Sequence, residues 1–274
     1  MGDYYNTKLK LFTHYPNKRK IVYIDCNYGK KIQKIFKDDN NIKTVSLRNK
    51  KADFYSSDIV YLKKGISFTI NSKYGKRKIT TNLYGEFSIT NILLSIAALA
   101  TSKSKYNFYV ENIKNLKPVE GRMNIYYKKN YPLVFIDFAH TPDSIKNVLT
   151  SIRKHYPDNK IITVFGCGGD RDKEKRKIMG KIVSKLSDEI IITNDNPRNE
   201  NPKKISSDIV SGLGSEKKFK IILKRNAAIR KCLNKNNSKK IALILGKGHE
   251  EFQIIKNKRI RYSDSKEVLK TLKL

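Results

Sequence analysis

The sequence has no tryptophan and only three cysteines in 274 residues. Cys26, Cys167 and Cys232 are odd in number and far apart, which argues against a disulfide framework and against a cysteine-rich zinc site. The longest apolar stretch, ILLSIAALA at 92–100, is interrupted by a serine and is far shorter than the roughly 20 residues of a membrane-spanning helix. We therefore expect a cytoplasmic protein that does not cross a membrane.

Arginine is also scarce, although the chain carries a formal net charge of +33. Only 12 of the 58 basic residues are arginine, and the other 46 are lysines spread evenly along the chain. Asparagine, isoleucine and tyrosine are abundant too, as in proteins encoded by AT-rich genomes. Because no basic arm or arginine-rich stripe follows from this pattern, we expect no nucleic-acid partner.

The second half of the chain alternates short apolar runs with amphipathic helix patterns. The runs are rich in β-branched residues and continuous, which is typical of strands buried on both faces. Such alternation predicts an α/β domain with right-handed βαβ units, an open, mostly parallel sheet and helices on both faces. The predicted strands are 133–137, 160–166, 188–193, 219–223 and 240–246.

The first half is less regular and predicts a second, smaller sheet. Four runs read as strands, the later ones with an alternation typical of antiparallel pairs, and a helix is predicted over 88–102. The segment LKPVEGRMN at 116–124 separates the halves and carries the predicted domain boundary. The predicted strands are 20–25, 58–64, 67–71 and 77–83.

Polar loops follow four of the predicted strands in the second half. Ligands of open α/β sheets bind beyond the carboxyl ends of the strands, so these loops should share one rim. Their charged groups, imidazoles and glycines predict a site for a small, polar, multiply charged molecule. The loops are FAHTPDS with Asp137 and His140, CGGDRDKEKR with Arg171, NDNPRNENP with Arg198, and KGHEE with Lys247, His249 and Glu250.

Each of these features also has a simpler interpretation. GCGGDR partly matches a dinucleotide fingerprint but lacks its third glycine. His140 and His249 are potential metal ligands, yet no paired ligand motif accompanies them. Arg198 taken alone is compatible with a solvated loop arginine. Their common position on one rim favours the binding site.

Five motifs resemble those of the Mur ligases, in the order found in that family. They are GRMN, DFAHTPDSIKNVL, FGCGGDRDKEKRKIMG, NDNPR and LGKGHE. The segments YYNTKLKLF and LYGEFSITNILLSIAALA resemble parts of the family's central domain. The resemblance implies a partial central ATP-binding domain at 1–116 and a Rossmann-like amino-acid-binding domain at 117–274. The motifs are most similar to those of members that add meso-diaminopimelate to UDP-N-acetylmuramoyl-L-alanyl-D-glutamate.

The sequence departs from the family pattern at several points. Family members carry an N-terminal domain for the UDP sugar and a GTNGKT-type phosphate loop, but no G-x-x-x-x-G-K-[ST] motif occurs here. Ser88 replaces a family asparagine, and Asn124 replaces the acid of GRME. We therefore expect the sequence to be a fragment, a gene model started late or an eroded gene. Whether a separate chain supplies the missing half stays open.

The reaction that the resemblance implies is ATP-dependent amide formation. The D-glutamyl carboxylate is phosphorylated, and an amine of diaminopimelate attacks the acyl phosphate. A carbamylated Lys8 would position Mg²⁺, with Arg122 and His140 on the phosphate side and Asn91, Arg122 and Asp137 as nucleotide contacts. The implied diaminopimelate contacts are Arg171, Asp195, Asn196, Pro197, Arg198, Gly246 and Glu250.

Arg198 carries the expected substrate specificity. Diaminopimelate differs from lysine by a second carboxylate, which a guanidinium binds through two parallel hydrogen bonds. Two alternatives remain: a sister ligase that adds L-lysine, and a non-catalytic remnant that binds the amino acid only.

Overall fold

The computed structural model describes residues 2–15 and 19–274, and the chain divides into two compact units, residues 1–117 and 118–274. The first unit contains helices α1 (Gly2–Thr13), α2 (Asn27–Ile35), α3 (Glu86–Leu99) and α4 (Lys103–Asn112). Its strands are β1 (Lys20–Tyr23), β2 (Ile42–Ser46), β3 (Phe54–Leu62), β4 (Gly65–Ser72) and β5 (Gly75–Thr81).

The strands of the first unit form one sheet in the order β1-β2-β3-β4-β5. β1, β2 and β3 are parallel, whereas β4 and β5 continue the sheet as antiparallel strands, which confirms the predicted change of pattern. Residues such as Phe68, Ile70 and Leu93 form the main core between the sheet and α3. β2 was not predicted, because its sequence IKTVS buries Thr44 and Ser46 where a strand pattern would show apolar residues.

The second unit has the predicted α/β order. Its strands are β6 (Asn124–Tyr126), β7 (Leu133–Asp137), β8 (Ile161–Phe165), β9 (Glu189–Ile192), β10 (Phe219–Ile221), β11 (Ile241–Leu245), β12 (Phe252–Ile255) and β13 (Lys258–Arg261). Its helices are α5 (Pro142–His155), α6 (Glu174–Leu186), α7 (Pro202–Val210), α8 (Arg225–Cys232) and α9 (Asp264–Leu272).

Six of these strands form a sheet in the order β10-β9-β8-β11-β7-β6, in which only β6 is antiparallel to its neighbour. Val134 and Ile136 of β7 join the core formed with α8 and α9. Phe135, which points to the opposite face, contacts Tyr156 at the end of α5. Helices therefore cover both faces, as the sequence predicts.

The prediction was wrong about the burial of the strand at 219–223. β10 is the edge strand of the sheet, and Phe219 and Ile221 are 42% and 47% exposed. An apolar run indicates a strand but does not reveal whether a neighbouring element covers it. None of the helices within residues 2–15 and 19–274 is long and apolar enough to cross a membrane.

Candidate functional site

The polar loops of the second unit lie at the carboxyl ends of parallel strands β7, β8, β9 and β11. The loop after β9, residues 193–201, contacts the loop after β8 and the hairpin of β12 and β13. Gly169 donates its backbone N–H to the Asn196 carbonyl at 2.9 Å. Ile254 donates its backbone N–H to Asn196 Oδ1 at 2.9 Å. These contacts hold the loop with most of the predicted substrate residues against its two neighbours.

A fully buried lysine lies at the centre of this rim. The Lys247 ammonium donates to Asn196 Oδ1 at 3.0 Å and to Glu250 Oε2 at 2.7 Å, and lies 3.5 Å from Asp195 Oδ1. Asn196 Nδ2 donates to the same Glu250 oxygen at 3.1 Å. A buried ammonium ion requires such partners, because an unpaired buried charge is strongly unfavourable.

The cluster of Lys247, Asp195 and Glu250 contains one ammonium and two carboxylates. Burial by itself would raise the pKa of Glu250, but hydrogen bonds from Lys247 and Asn196 and the Lys247 and Arg198 charges hold it below its ordinary value. The ionised cluster has one negative charge in excess, which favours a ligand cation.

Arg198 adopts a backbone conformation that is rare for a residue with a side chain. Its φ is +50°, in the left-handed region, where a non-glycine residue is strained. Two hydrogen bonds to the hairpin hold it there: Arg198 N–H to the Ile254 carbonyl at 3.1 Å, and Lys256 N–H to the Arg198 carbonyl at 2.7 Å. Strain that neighbouring structure maintains in this way is typical of functional sites.

The Arg198 guanidinium rests on the loop after β8. Its Nη1 donates to the Gly169 carbonyl at 2.8 Å, and Arg198 remains partly exposed. A methyl group on Gly168 would lie 2.9 Å from Arg198 Nη1 and 3.8 Å from Cγ of the exposed Arg171. The two predicted carboxylate-binding arginines therefore flank the same glycine.

Gly246 and Pro197 shape the rim through their backbones. Gly246 has a φ of +114°, and a methyl group there would lie 3.1 Å from Asp195 Oδ2. Pro197 is buried, and its carbonyl oxygen would be 1.9 Å from a methyl group on Gly169. A side chain at position 169 therefore has no space between the loops after β8 and β9, and the positive φ of Gly246 disfavours one in the loop after β11.

A second buried ion pair supports the rim from behind. Arg225 and Asp264 are inaccessible to solvent and form two hydrogen bonds of 2.8 and 2.6 Å. Arg225 also donates to the carbonyls of Leu245 at 2.9 Å and Asn194 at 3.4 Å, the residues that precede Gly246 and Asp195. Burial works to lower the pKa of Arg225, but the charge and hydrogen bonds of Asp264 outweigh it and raise that pKa.

The predicted nucleotide-side residues of this unit surround Phe138. The Arg122 guanidinium carbon lies 5.0 Å from the Phe138 ring centroid, and the His140 ring lies 4.6 Å from it; both side chains are exposed. Asp137 is buried, and its carboxylate accepts the backbone N–H groups of Met123 and Ala139 at 3.0 and 2.8 Å. Burial raises the pKa of Asp137.

Lys8 and Asn91 lie in the first unit. Both are exposed, Lys8 in α1 with its ammonium 5.4 Å from the Tyr4 ring centroid and Asn91 in α3. Across residues 2–15 and 19–274, no three His, Cys, Asp or Glu side chains come together as a potential metal site.

Sequence reasoning missed the ion pairs behind the rim, Arg176 with Glu200 and Arg225 with Asp264, and gave Lys247 no role. With 46 lysines in the chain, a basic residue carries little information about its own burial. The available signal was position: Lys247 directly follows the buried strand β11, and Arg176 lies in the first turn of α6.

The open α/β fold, with a polar rim at the carboxyl ends of its strands, is of the kind found in amide ligases. Residues 121–248 match the family model described as "Mur ligase, glutamate ligase domain", and residues 1–99 match the "Mur ligase middle domain". The chain belongs to the Mur ligase family.

Two relatives are named UDP-N-acetylmuramoyl-L-alanyl-D-glutamate–2,6-diaminopimelate ligase. That of Wigglesworthia glossinidia brevipalpis is 42% identical over 270 residues, which cover 96% of this chain and 54% of the relative. That of Buchnera aphidicola subsp. Acyrthosiphon pisum is 40% identical over 278 residues, covering 99% and 56%. A solved structure of a protein with the same name aligns at 30% identity with a TM-score of 0.65, covering 98% and 56%. The chain spans about half the length of these relatives.

Proposed function

We propose that residues 118–274 bind meso-diaminopimelate for its ATP-dependent addition to UDP-N-acetylmuramoyl-L-alanyl-D-glutamate in peptidoglycan synthesis. The observation that carries the proposal is the pairing of opposite charges on one rim. The Arg198 guanidinium lies beside a cluster with one excess negative charge, Asp195–Lys247–Glu250. One end of diaminopimelate presents a carboxylate and an ammonium on the same carbon, which this arrangement complements.

Each rim residue has a role in this proposal. Arg198 binds the second carboxylate of the ligand through its planar fork, and Arg171 approaches a carboxylate from the other side of Gly168. Glu250 and Asp195 accept hydrogen bonds from an ammonium group. The remaining predicted contacts, Asn196, Pro197 and Gly246, hold the loops in register through the bonds and close approaches described above.

The proposed nucleotide side lies around Phe138. Arg122 is an exposed donor that fits phosphate oxygens, His140 lies on the same phosphate side, and Asp137 and Asn91 are proposed nucleotide contacts. ATP supplies the phosphoryl group that activates the D-glutamyl carboxylate, so the protein needs no nucleophile of its own.

Mg²⁺ is usually held by one or two carboxylates together with substrate phosphates, and a carbamylated Lys8 would supply one oxygen ligand of this type. A cytoplasmic location, which the three free cysteines support, is part of the proposal.

Binding of amino acids to the full chain tests the proposal. Isothermal titration calorimetry would compare meso-diaminopimelate with L-lysine, which lacks the second carboxylate, and with pimelate, which lacks both ammonium groups. We expect both analogues to bind at least about ten-fold more weakly, because each leaves charged groups of the site unpaired. Equal affinity for L-lysine would favour a lysine-adding ligase, and no binding of diaminopimelate would refute the proposal.

A further inference from the structure

Arg176 is a buried arginine outside the set of proposed ligand contacts. It lies in the first turn of α6 with its side chain inaccessible to solvent. Its two terminal nitrogens donate to both oxygens of Glu200 at 2.9 and 2.8 Å, and Nη1 also donates to Asp208 Oδ2 at 2.9 Å. The hydrogen bonds from Arg176 hold the pKa of Glu200 at about 2, so this carboxylate is ionised at neutral pH.

The Arg176–Glu200 pair holds the two residues on either side of Gly169. Arg176 Nη2 donates to the Gly168 carbonyl at 3.2 Å. Glu200 Oε1 accepts the backbone N–H of Asp170 at 2.6 Å. Asp170 has a φ of +51°, so its backbone is itself in a strained conformation that this hydrogen bond helps to maintain.

Gly169, between these two anchors, is the residue on which Arg198 rests. Its carbonyl accepts the Arg198 Nη1 hydrogen bond at 2.8 Å, and its N–H binds the Asn196 carbonyl at 2.9 Å. A displacement of the loop at 168–170 therefore moves the acceptor that orients the Arg198 guanidinium. The backbones of Gly169 and Pro197 approach too closely for a methyl group. A displacement of Gly169 is therefore passed directly to the backbone at Pro197, with no side chain between them.

We propose that Arg176 and Glu200 are positioning residues that set the selectivity of the rim for amino acids with a second carboxylate. They act by fixing Gly169 and, through it, the direction of the Arg198 guanidinium. This inference rests on the proposed function, since it assigns Arg198 to the second carboxylate of the ligand.

Asp208 offers a matched control. It binds the same buried guanidinium as Glu200, at 2.9 Å, but it forms no described hydrogen bond to residues 168–170. Glu200→Ala and Asp208→Ala both deprive Arg176 of one carboxylate, so both should lower stability. Only Glu200→Ala removes the acceptor of the Asp170 backbone N–H, so only this change should alter selectivity.

The experiment measures Kd for meso-diaminopimelate and L-lysine with the full chain and its variants by calorimetry, with folding checked by circular dichroism. Glu200→Ala should lower the ratio of the Kd for L-lysine to the Kd for meso-diaminopimelate by about ten-fold or more. Asp208→Ala should leave this ratio within about two-fold of wild type. Glu200→Met, which removes both acceptor oxygens but keeps much of the side-chain volume, makes the same comparison if the alanine variant does not fold. In an Arg198→Ala background, Glu200→Ala should not change the ratio further, because coupled residues are not additive.

The outcomes separate the two proposals. A wild-type chain without preference for diaminopimelate would overturn the proposed function and this inference with it. A clear wild-type preference that Glu200→Ala and Glu200→Met both retain would overturn the inference alone. Equal lowering of the ratio by the Glu200 and Asp208 variants would also overturn it, since the effect would then follow from the loss of stability.

Discussion

Gly168→Ala should impair diaminopimelate binding without disturbing the fold. The backbone of Gly168 is not in the left-handed region, so alanine is sterically compatible with it. The added methyl group would lie 2.9 Å from Arg198 Nη1, where ordinary contacts begin at 3.4 Å. Because the obstacle is the end of a flexible side chain, the guanidinium should move by about 0.5 Å, loosening its 2.8 Å bond to Gly169 and misaligning its fork.

The magnitude follows from the hydrogen bond at risk. A hydrogen bond to a charged group contributes about 1.5–3 kcal/mol, which corresponds to a loss of about ten-fold to 150-fold in Kd. L-Lysine, which does not use the Arg198 fork in this scheme, should lose little.

Calorimetry with both amino acids measures the effect, and thermal unfolding checks the fold. Gly214→Ala is the matched control, because its methyl group would meet Ser184 Oγ at an ordinary 3.5 Å and lies in another loop. Wild-type affinity of Gly168→Ala for diaminopimelate would refute the proposed orientation of Arg198. An equal loss for both ligands would show that Gly168 shapes the whole rim rather than the carboxylate contact.

Two further changes have defined outcomes. Arg198→Ala should weaken diaminopimelate binding by roughly thirty-fold or more, because loss of one partner of a charge pair costs about 2–5 kcal/mol, and it should change L-lysine binding little. Arg198→Lys should restore only part of the loss. Calorimetry that finds equal losses for both ligands would contradict this prediction. Asp264→Asn should lower the free energy of unfolding by about 3–5 kcal/mol, because it leaves Arg225 buried without a counter-charge, and the double change Arg225→Met with Asp264→Leu should recover most of it. Urea denaturation measures both, and a single variant as stable as wild type would contradict the argument.

The sheet of the second unit could be predicted because each of its central strands has a clear local sequence pattern. Runs such as IITVF at Ile161–Phe165 are uniformly buried, and the helices between them leave parallel pairing as the natural solution. Exposure at the edge could not be predicted, since Phe219 and Ile221 have the composition of core residues. β2 was not predicted because its buried Thr44 and Ser46 are stabilised by hydrogen bonds to Asp53 and Asp25, which lie outside the strand.

The candidate site was predictable in its position and less so in its supports. Loops at the carboxyl ends of parallel strands share a rim by topology, so Arg171, Arg198 and Glu250 could be grouped from sequence. Arg176 and Lys247 could not be recognised as buried, because each pairs with a residue distant in sequence, Arg176 with Glu200 and Lys247 with Asn196, which are 24 and 51 residues away. The charge of a side chain does not by itself show whether that side chain is solvated at the surface or paired in the interior.

The strained backbone of Arg198 has a consequence for changes in the neighbouring hairpin. Two backbone hydrogen bonds hold its left-handed conformation, from the Arg198 N–H to the Ile254 carbonyl and from the Lys256 N–H to the Arg198 carbonyl. A change in the length or turn of the hairpin would displace these partners, and Lys256, whose φ is +51°, constrains that turn as well. The direction of the Arg198 side chain therefore depends on the length of the hairpin as well as on the residue at position 198. A comparison of residue identities alone does not detect this dependence.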